Sequence, residues 1–239
     1  MKPNFFLKQI NLPALILLFI SCVSCSDDNN DQPQEVNKSY LFVNDLEGWE
    51  ADFADYPFEE EIFYELDYSF KPLPEPLDQS DFAFMQSGNN HSDDLFMFIK
   101  REIKGLKPNT NYDLYFNIDF ATNAPNNSFG VGGSPATSVY IKAGASISEP
   151  IKELDSSNMY RMNIDKGNQA EEGEDMINLG NFSNETDEAT YALKNLSNEN
   201  PFSVKTDESG NLWVILGADS GFESTTTIYY TSIKLKFQE

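Results

Sequence analysis

From residue 111 to 121 apolar and polar side chains alternate: Tyr112, Leu114, Phe116, Ile118 and Phe120 fall on one parity, Asp113, Asn117 and Asp119 on the other. Period two sends successive side chains to opposite faces of an extended chain, so this segment reads as a half-buried β-strand. Apolar runs at residues 40–44, 62–70, 81–86, 95–103, 138–143, 160–164, 189–194, 212–217 and 229–237 predict further strands. In the last of these Tyr229, Ile233, Leu235 and Phe237 share one parity, with Lys234 and Lys236 opposite. Leu95, Phe96, Met97, Phe98 and Ile99 are apolar on both parities, which predicts a strand covered on both sides. Turn-forming segments separate the runs, among them Lys107-Pro108-Asn109 and residues 123–133. No segment carries a helix-length apolar stripe; residues 59–65 and 171–177 have room for a turn or two. The pattern predicts an all-β fold, a two-sheet antiparallel β-sandwich.

Charge narrows the partners. With 16 Lys+Arg against 39 Asp+Glu the chain carries a formal charge of -23, so a ligand held by phosphate neutralisation, nucleic acid above all, is excluded. Aromatic residues at 13% supply a core that a disordered acidic tail lacks. His91 is the one histidine, and both cysteines, Cys22 and Cys25, stand near the N-terminus. The body therefore has neither a Cys/His zinc set nor a cysteine–histidine nucleophile pair. A glycosidase would need a carboxylate pair, which sequence alone cannot pick out of 39 acids. The expected protein is not an enzyme.

Residues 1–24 have the pattern of a secretory signal: Lys2 and Lys8, then an apolar stretch from Leu12 to Ile20 that is too short to span a bilayer. Cys22-Val23-Ser24-Cys25 resembles a bacterial lipobox, with Cys22 where Leu is usual, which implies lipidation at Cys25. The following Ser26-Asp27-Asp28-Asn29-Asn30-Asp31 resembles the acidic signal that carries some lipoproteins to the exposed face of the outer membrane, and reads equally as a plain solvated tether. Residues 25–38 are expected as a lipidated acidic tether and 39–239 as a single sandwich domain. With Cys25 lipidated, no disulfide can form.

Three segments carry a family resemblance. Phe42-Val43-Asn44-Asp45-Leu46-Glu47-Gly48-Trp49, then Gly105-Leu106-Lys107-Pro108-Asn109-Thr110-Asn111-Tyr112-Asp113-Leu114-Tyr115-Phe116, then residues 229–235 resemble, in this order, anchor segments of the galactose-binding-like jelly rolls that include many carbohydrate-binding modules. The resemblance implies a jelly roll and a non-catalytic, cell-surface module that binds glycan. The alternative is a structural or adhesive surface lipoprotein that binds protein. Such modules often hold a structural calcium through an Asp in the last strand; Thr231 and Ser232 stand there in this chain, so that ligand is missing. Residues 84–237 also look like a group of uncharacterised bacterial secreted proteins.

Candidate ligand-binding residues follow from the polar loops and the aromatics. Gly88-Asn89-Asn90-His91-Ser92-Asp93-Asp94 offers amides, an imidazole and carboxylates ahead of an apolar strand, a set suited to sugar hydroxyls or to calcium, and equally to Asx turns. Residues 162–175 crowd carboxylates around glycines without the order of an EF-hand loop. Asp219 lies in a polar turn near the end of the chain. Trp49, Asn89, Asn90, His91, Tyr160 and Asp219 are thus the candidate ligand contacts, Trp49 reading also as core because the resemblance places the preceding Gly48 at the end of the first strand, with Asp93, Asp94 and Asp165 as candidate ligands of a structural calcium. Trp213, inside the apolar run 212–216, reads as core. Phe129-Gly130-Val131-Gly132-Gly133-Ser134 lacks the Lys of a phosphate loop and reads as a place where backbone passes close to a neighbour.

Overall fold

The computed structural model describes Met1 and residues 34–239. The signal segment, Cys25 and the chain up to residue 33 lie outside the described residues. Fifteen strands and no helix run through the described part. In chain order they begin with β1 (Glu35–Leu41), β2 (Glu50–Ala54), β3 (Tyr56–Pro57), β4 (Asp67–Pro72) and β5 (Phe82–Asn89). Then come β6 (Leu95–Ile103), β7 (Asn111–Thr122), β8 (Val139–Ser146), β9 (Lys152–Leu154) and β10 (Met159–Met162). The last are β11 (Met176–Asn181), β12 (Ala192–Ser197), β13 (Phe202–Lys205), β14 (Leu212–Ser220) and β15 (Thr225–Gln238).

Two large antiparallel sheets face each other. The first runs β12-β7-β15-β5-β4, with β1 added beside the second half of β15 and β13 beside β7; the second runs β11-β8-β14-β6-β2. Between β5 and β8 the chain changes sheet at every strand, and later strands return beside earlier ones, giving β5-β15-β7-β12 opposite β6-β14-β8-β11. That order is a jelly roll, and the all-β, two-sheet antiparallel sandwich read from the alternation is what forms. A small third sheet, β3-β10-β9, belongs mostly to the insertion between β8 and β11.

Alternation decides what enters the core. Leu114, Phe116, Ile118 and Phe120 of β7 meet Leu95, Met97 and Ile99 of β6 and Val214 and Leu216 of β14 between the sheets. Each such side chain contributes about 1.5–3 kcal/mol when fully removed from water. Phe96 and Phe98 point the other way, to a second cluster with Ala54, Ile215, Ile164 and Met176. β6 is therefore covered on both sides, as its uninterrupted apolar run predicts. The cover is the insertion itself, whose Met162 and Ile164 lie on the outer face of the second sheet.

Local chemistry fixes the turns. The segment before β7 closes on its tyrosine: the Lys107 N–H donates to the Tyr112 hydroxyl at 3.1 Å, and Asn109 takes a φ of 52°. Gly130 and Gly132 let their loop run against Phe222 and Glu223 where a Cβ would collide, which matches the close approach read from the sequence.

Three expectations change. The sandwich begins at Glu35, not Ser39, because residues 35–41 pair along β15 from Gln238 to Ser232. Residues 62–66 are a turn rather than strand: the Glu60 carbonyl accepts from the Tyr64 amide at 2.9 Å, and left-handed φ values at Glu59 and Glu65 (65° and 50°) interrupt extension. Tyr229 does not share a face with Ile233. A register shift against β7 between Tyr230 and Ser232 reverses the parity, so Ile228 and Tyr230 are buried above the bulge and Ile233, Leu235 and Phe237 below it.

Candidate functional site

Much of what the loop motifs offered converges on one place, where the insertion closes over the second sheet. Asp55 follows β2, Asp94 precedes β6, Asp219 lies near the end of β14, and Arg161 and Lys166 arrive from the insertion. Arg161 Nη1 donates to Asp55 Oδ1 at 2.7 Å and to Asp94 Oδ2 at 2.9 Å. Lys166 Nζ lies 2.9 Å from Asp219 Oδ2 and 3.1 Å from Asp55 Oδ2, and Lys142 Nζ is 3.5 Å from Asp219. The Gln169 amide also donates to Asp219 at 3.0 Å, and its side chain donates to the Asp93 carbonyl at 2.9 Å. Burial, then the Asp55 charge, pushes Asp94 up to about 6. Burial opposes the Lys166 charge, but Asp219 and Asp55 outweigh it and hold the ammonium above its ordinary range.

This network ties the insertion down. Lys166 puts an ammonium between Asp55 and Asp219. Among the described residues no group of three or more histidine, cysteine or acidic side chains is disposed to hold a metal. Asp93, Asp94 and Asp165 are not brought round one point. Asp94 is paired with Arg161, while Asp165 accepts the Gly167 and Glu174 amides at 3.0 Å each, which holds its carboxyl below the usual range.

The proposed ligand contacts divide. Trp49 is 2% exposed and meets Tyr40 edge-on at 5.6 Å, so it packs in the core and is no platform. Asn90 is buried as well: its amide donates to the Ser220 and Phe222 carbonyls and its Oδ1 accepts the Ser92 N–H, which shapes the β5–β6 loop. Asp219 is fully buried in the ion network. These three are corrections, with the same cause in each: a polar or aromatic side chain taken for a surface ligand satisfies the fold instead. Asn89 ends β5 and its N–H donates to the Tyr64 carbonyl at 2.7 Å. His91 is exposed and stacks on Phe63 at 4.1 Å, and Tyr160 is half-buried between Tyr56 and Phe58. Those two do share one aromatic rim.

An open aromatic platform lies elsewhere. Along β14, Leu212, Val214 and Leu216 enter the core, so Trp213 and Ile215 face outward. The insertion covers Ile215 and stops short of Trp213, which stays half-buried, with Lys100 Nζ 5.3 Å from its ring centre. Reading Trp213 as core is therefore also corrected; residues 212–216 are apolar on both parities, so the sequence carries no signal that sets it apart. Beside it opens a cleft of about 470 Å³ lined by Trp213, Tyr40, Glu50, Arg101, Glu102 and Lys38 among others. Arg101 lies over the Tyr40 ring at 4.5 Å, with Nε and Nη1 buried and without hydrogen-bond partners. Glu102 pairs with Lys104 at 2.7 Å and Lys100 with Glu149 at 2.5 Å.

No family model matches the chain, and no curated protein matches it. Solved structures do. The K3 cleaved adhesin domain of Lys-gingipain from Porphyromonas gingivalis aligns at 11% identity and a TM-score of 0.40, covering 86% of this chain and 99% of that one. The mannan-recognising carbohydrate-binding module TmCBM27 aligns at 9% identity and 0.39, covering 85% and 98%. The enzymatically active domain of tailspike protein 4 of bacteriophage CBA120 aligns at 10% and 0.36; the match covers 78% of this chain and 19% of that one. None of these likenesses assigns a ligand to the chain. That has to come from its own surface, where the Trp213 cleft joins an apolar ring face to a rim of charged hydrogen-bonding groups.

Proposed function

We propose that the domain is a non-catalytic carbohydrate-binding module, displayed at the cell surface on a lipidated Cys25, and that Trp213 is its platform. The observation that supports the reading is the outward, half-buried indole at the mouth of the 470 Å³ cleft. A pyranose ring presents C–H groups on its faces and hydroxyls around its edge. An indole takes the face, and Lys38, Glu50, Arg101 and Glu102 line the same cleft as donors and acceptors for the hydroxyls. The volume is within the roughly 300–1,000 Å³ of small-ligand sites. The reading as a non-enzyme rests on the sequence, with its single histidine and no nucleophile motif. Titration calorimetry against a panel of oligosaccharides tests the proposal: binding should occur and disappear in Trp213→Ala. A panel without a binding heat, or binding unchanged in that variant, would overturn it.

A second reading, adhesion to protein, has its own observation. Ile62, Phe63 and Phe58 are 94%, 57% and 43% exposed on the turn after β3, beside the Tyr160 rim. Exposed apolar groups of this kind mark contact surfaces. Adhesion of the purified domain to protein-coated surfaces, lost in the double variant Ile62→Ser, Phe63→Ser while no saccharide binds, would favour it over the first.

A further inference from the structure

The cations of this acidic chain are unevenly placed. Lys38 of β1 lines the Trp213 cleft, and on its other side it lines a second cleft of about 400 Å³ on the first sheet. The second cleft also takes in Lys234, Lys236, Tyr115, Asn117 and Asn198, and no carboxylate lines it. In a protein with 39 acids and 16 basic residues, three lysines without a lining acid form an island of the opposite sign. The lysines are only partly neutralised. Lys234 is 3.9 Å from Asp119, and Lys236 sits over the Tyr115 ring at 4.3 Å. Among the described residues neither Lys38 nor Arg101 has a carboxylate within ion-pair distance.

We infer that the glycan bound at Trp213 is an acidic one, a uronate-type polysaccharide whose carboxylates pair with Lys38 and Arg101 in the first cleft and with Lys234 and Lys236 in the second. The inference rests on the carbohydrate-binding reading and names its ligand class. Lys38, common to both clefts, makes them successive stations for one chain: Trp213 receives a ring in the first, Tyr115 and the amides of Asn117 and Asn198 border the second. The overall charge of -23 does not forbid this, since fields from acids farther off than about 8 Å are largely screened at physiological salt. The charged residues that line the second cleft are all lysines, and in the first Lys38, Arg101 and Lys104 stand against Glu50 and Glu102, the latter paired with Lys104; low-dielectric cleft walls focus the field of the cations left over.

Oligogalacturonate and its fully methyl-esterified, neutral form are the probes, titrated into the wild-type domain and into the double variant Lys38→Gln, Lys236→Gln. These two side chains lie at the surface of β1 and β15, and melting curves of the variant confirm its folding. The acid form should bind at least tenfold tighter than the ester, weaken as salt is raised, and lose that preference in the double variant, while Trp213→Ala removes binding of both. Equal affinity for acid and ester, or a preference that survives the double variant, would overturn the acidic ligand and leave carbohydrate binding standing. Failure of both forms, together with failure of a neutral glycan panel, would overturn the carbohydrate reading as well.

Discussion

Asp219 and Lys166 meet at 2.9 Å, with the carboxylate fully buried and the lysine side chain 9% exposed. Lys142, also fully buried, approaches the same oxygen at 3.5 Å. Lys166 is shared with Asp55 at 3.1 Å, whereas Asp219 is the carboxylate that answers Lys142, so removing the Asp219 charge leaves a fully buried ammonium with no anion beside it. Asp219→Asn is therefore expected to cost about 3–5 kcal/mol in urea unfolding. A loss well below that would mean that water reaches the network.

Asp94 sets a pH dependence. Its pKa is raised from 3.8 to about 6, so the folded chain binds this proton more tightly than the unfolded chain. The contribution to stability is then complete below the unfolded value and is lost as pH rises through about 6. Asp78, Asp155, Asp165 and Asp207 behave oppositely: backbone amides hold each below its usual value, and their contribution is lost as pH falls below the ordinary carboxylate range. The melting temperature should rise from about pH 7.5 to 5 and fall again below about 4. Discharge of the acidic surface adds to the rise, so the diagnostic quantity is a difference: Asp94→Asn should show a flatter upper limb than the wild type, and parallel limbs would refute the assignment.

The two tryptophans make a contrast that one pair of variants reads. Trp49 is 2% exposed against Tyr40, and its replacement by alanine should cost about 3–5 kcal/mol through the cavity left behind. Trp213 lies on the outer face, and its replacement should cost about 1 kcal/mol while removing saccharide binding. Urea melts and calorimetry on both variants check the pair. A large stability loss at Trp213 would place it in the core after all.

What the sequence carries and what it hides can be seen strand by strand. β7 was legible because it carries no bulge of its own and one face is buried, so parity from Tyr112 to Phe120 survives intact. The parity of β15 is broken at Thr231 by pairing with β7, a relation between residues 110 positions apart that no local pattern encodes; Tyr229 consequently faces Tyr191 at 5.4 Å rather than the core. The ion network was half-visible. Asp94, Asp165 and Asp219 drew attention as polar loop residues, but Arg161 reaches Asp55 across 106 positions, and only the fold shows that Asp94 is paired with Arg161, Asp219 with Lys166, and Asp165 with backbone amides. Trp213 was hidden by Ile215, whose burial under the insertion makes the outer parity look like a second core face.

The seating of the insertion depends on a glycine. Gly144 of β8 has no strained φ; what it provides is room, because a Cβ built there would overlap the backbone carbonyl of Asp175 where the chain enters β11. Met176 pairs directly with Gly144 and packs on Phe96, Phe98 and Ile215. Gly144→Ala must push residues 165–176 outward or distort β8, at about 1–3 kcal/mol for overpacking. The sandwich core lies on the other face of the sheet, so the damage should be local. Hydrogen exchange should speed up in residues 159–176 and leave the amides of β7 and β14 protected, and oligosaccharide affinity at Trp213, which is not part of the outer cluster, should be unchanged. If exchange instead accelerates throughout the domain, the insertion and the sandwich form one cooperative unit, and the outer cluster is a structural part of the core rather than a cover laid upon it.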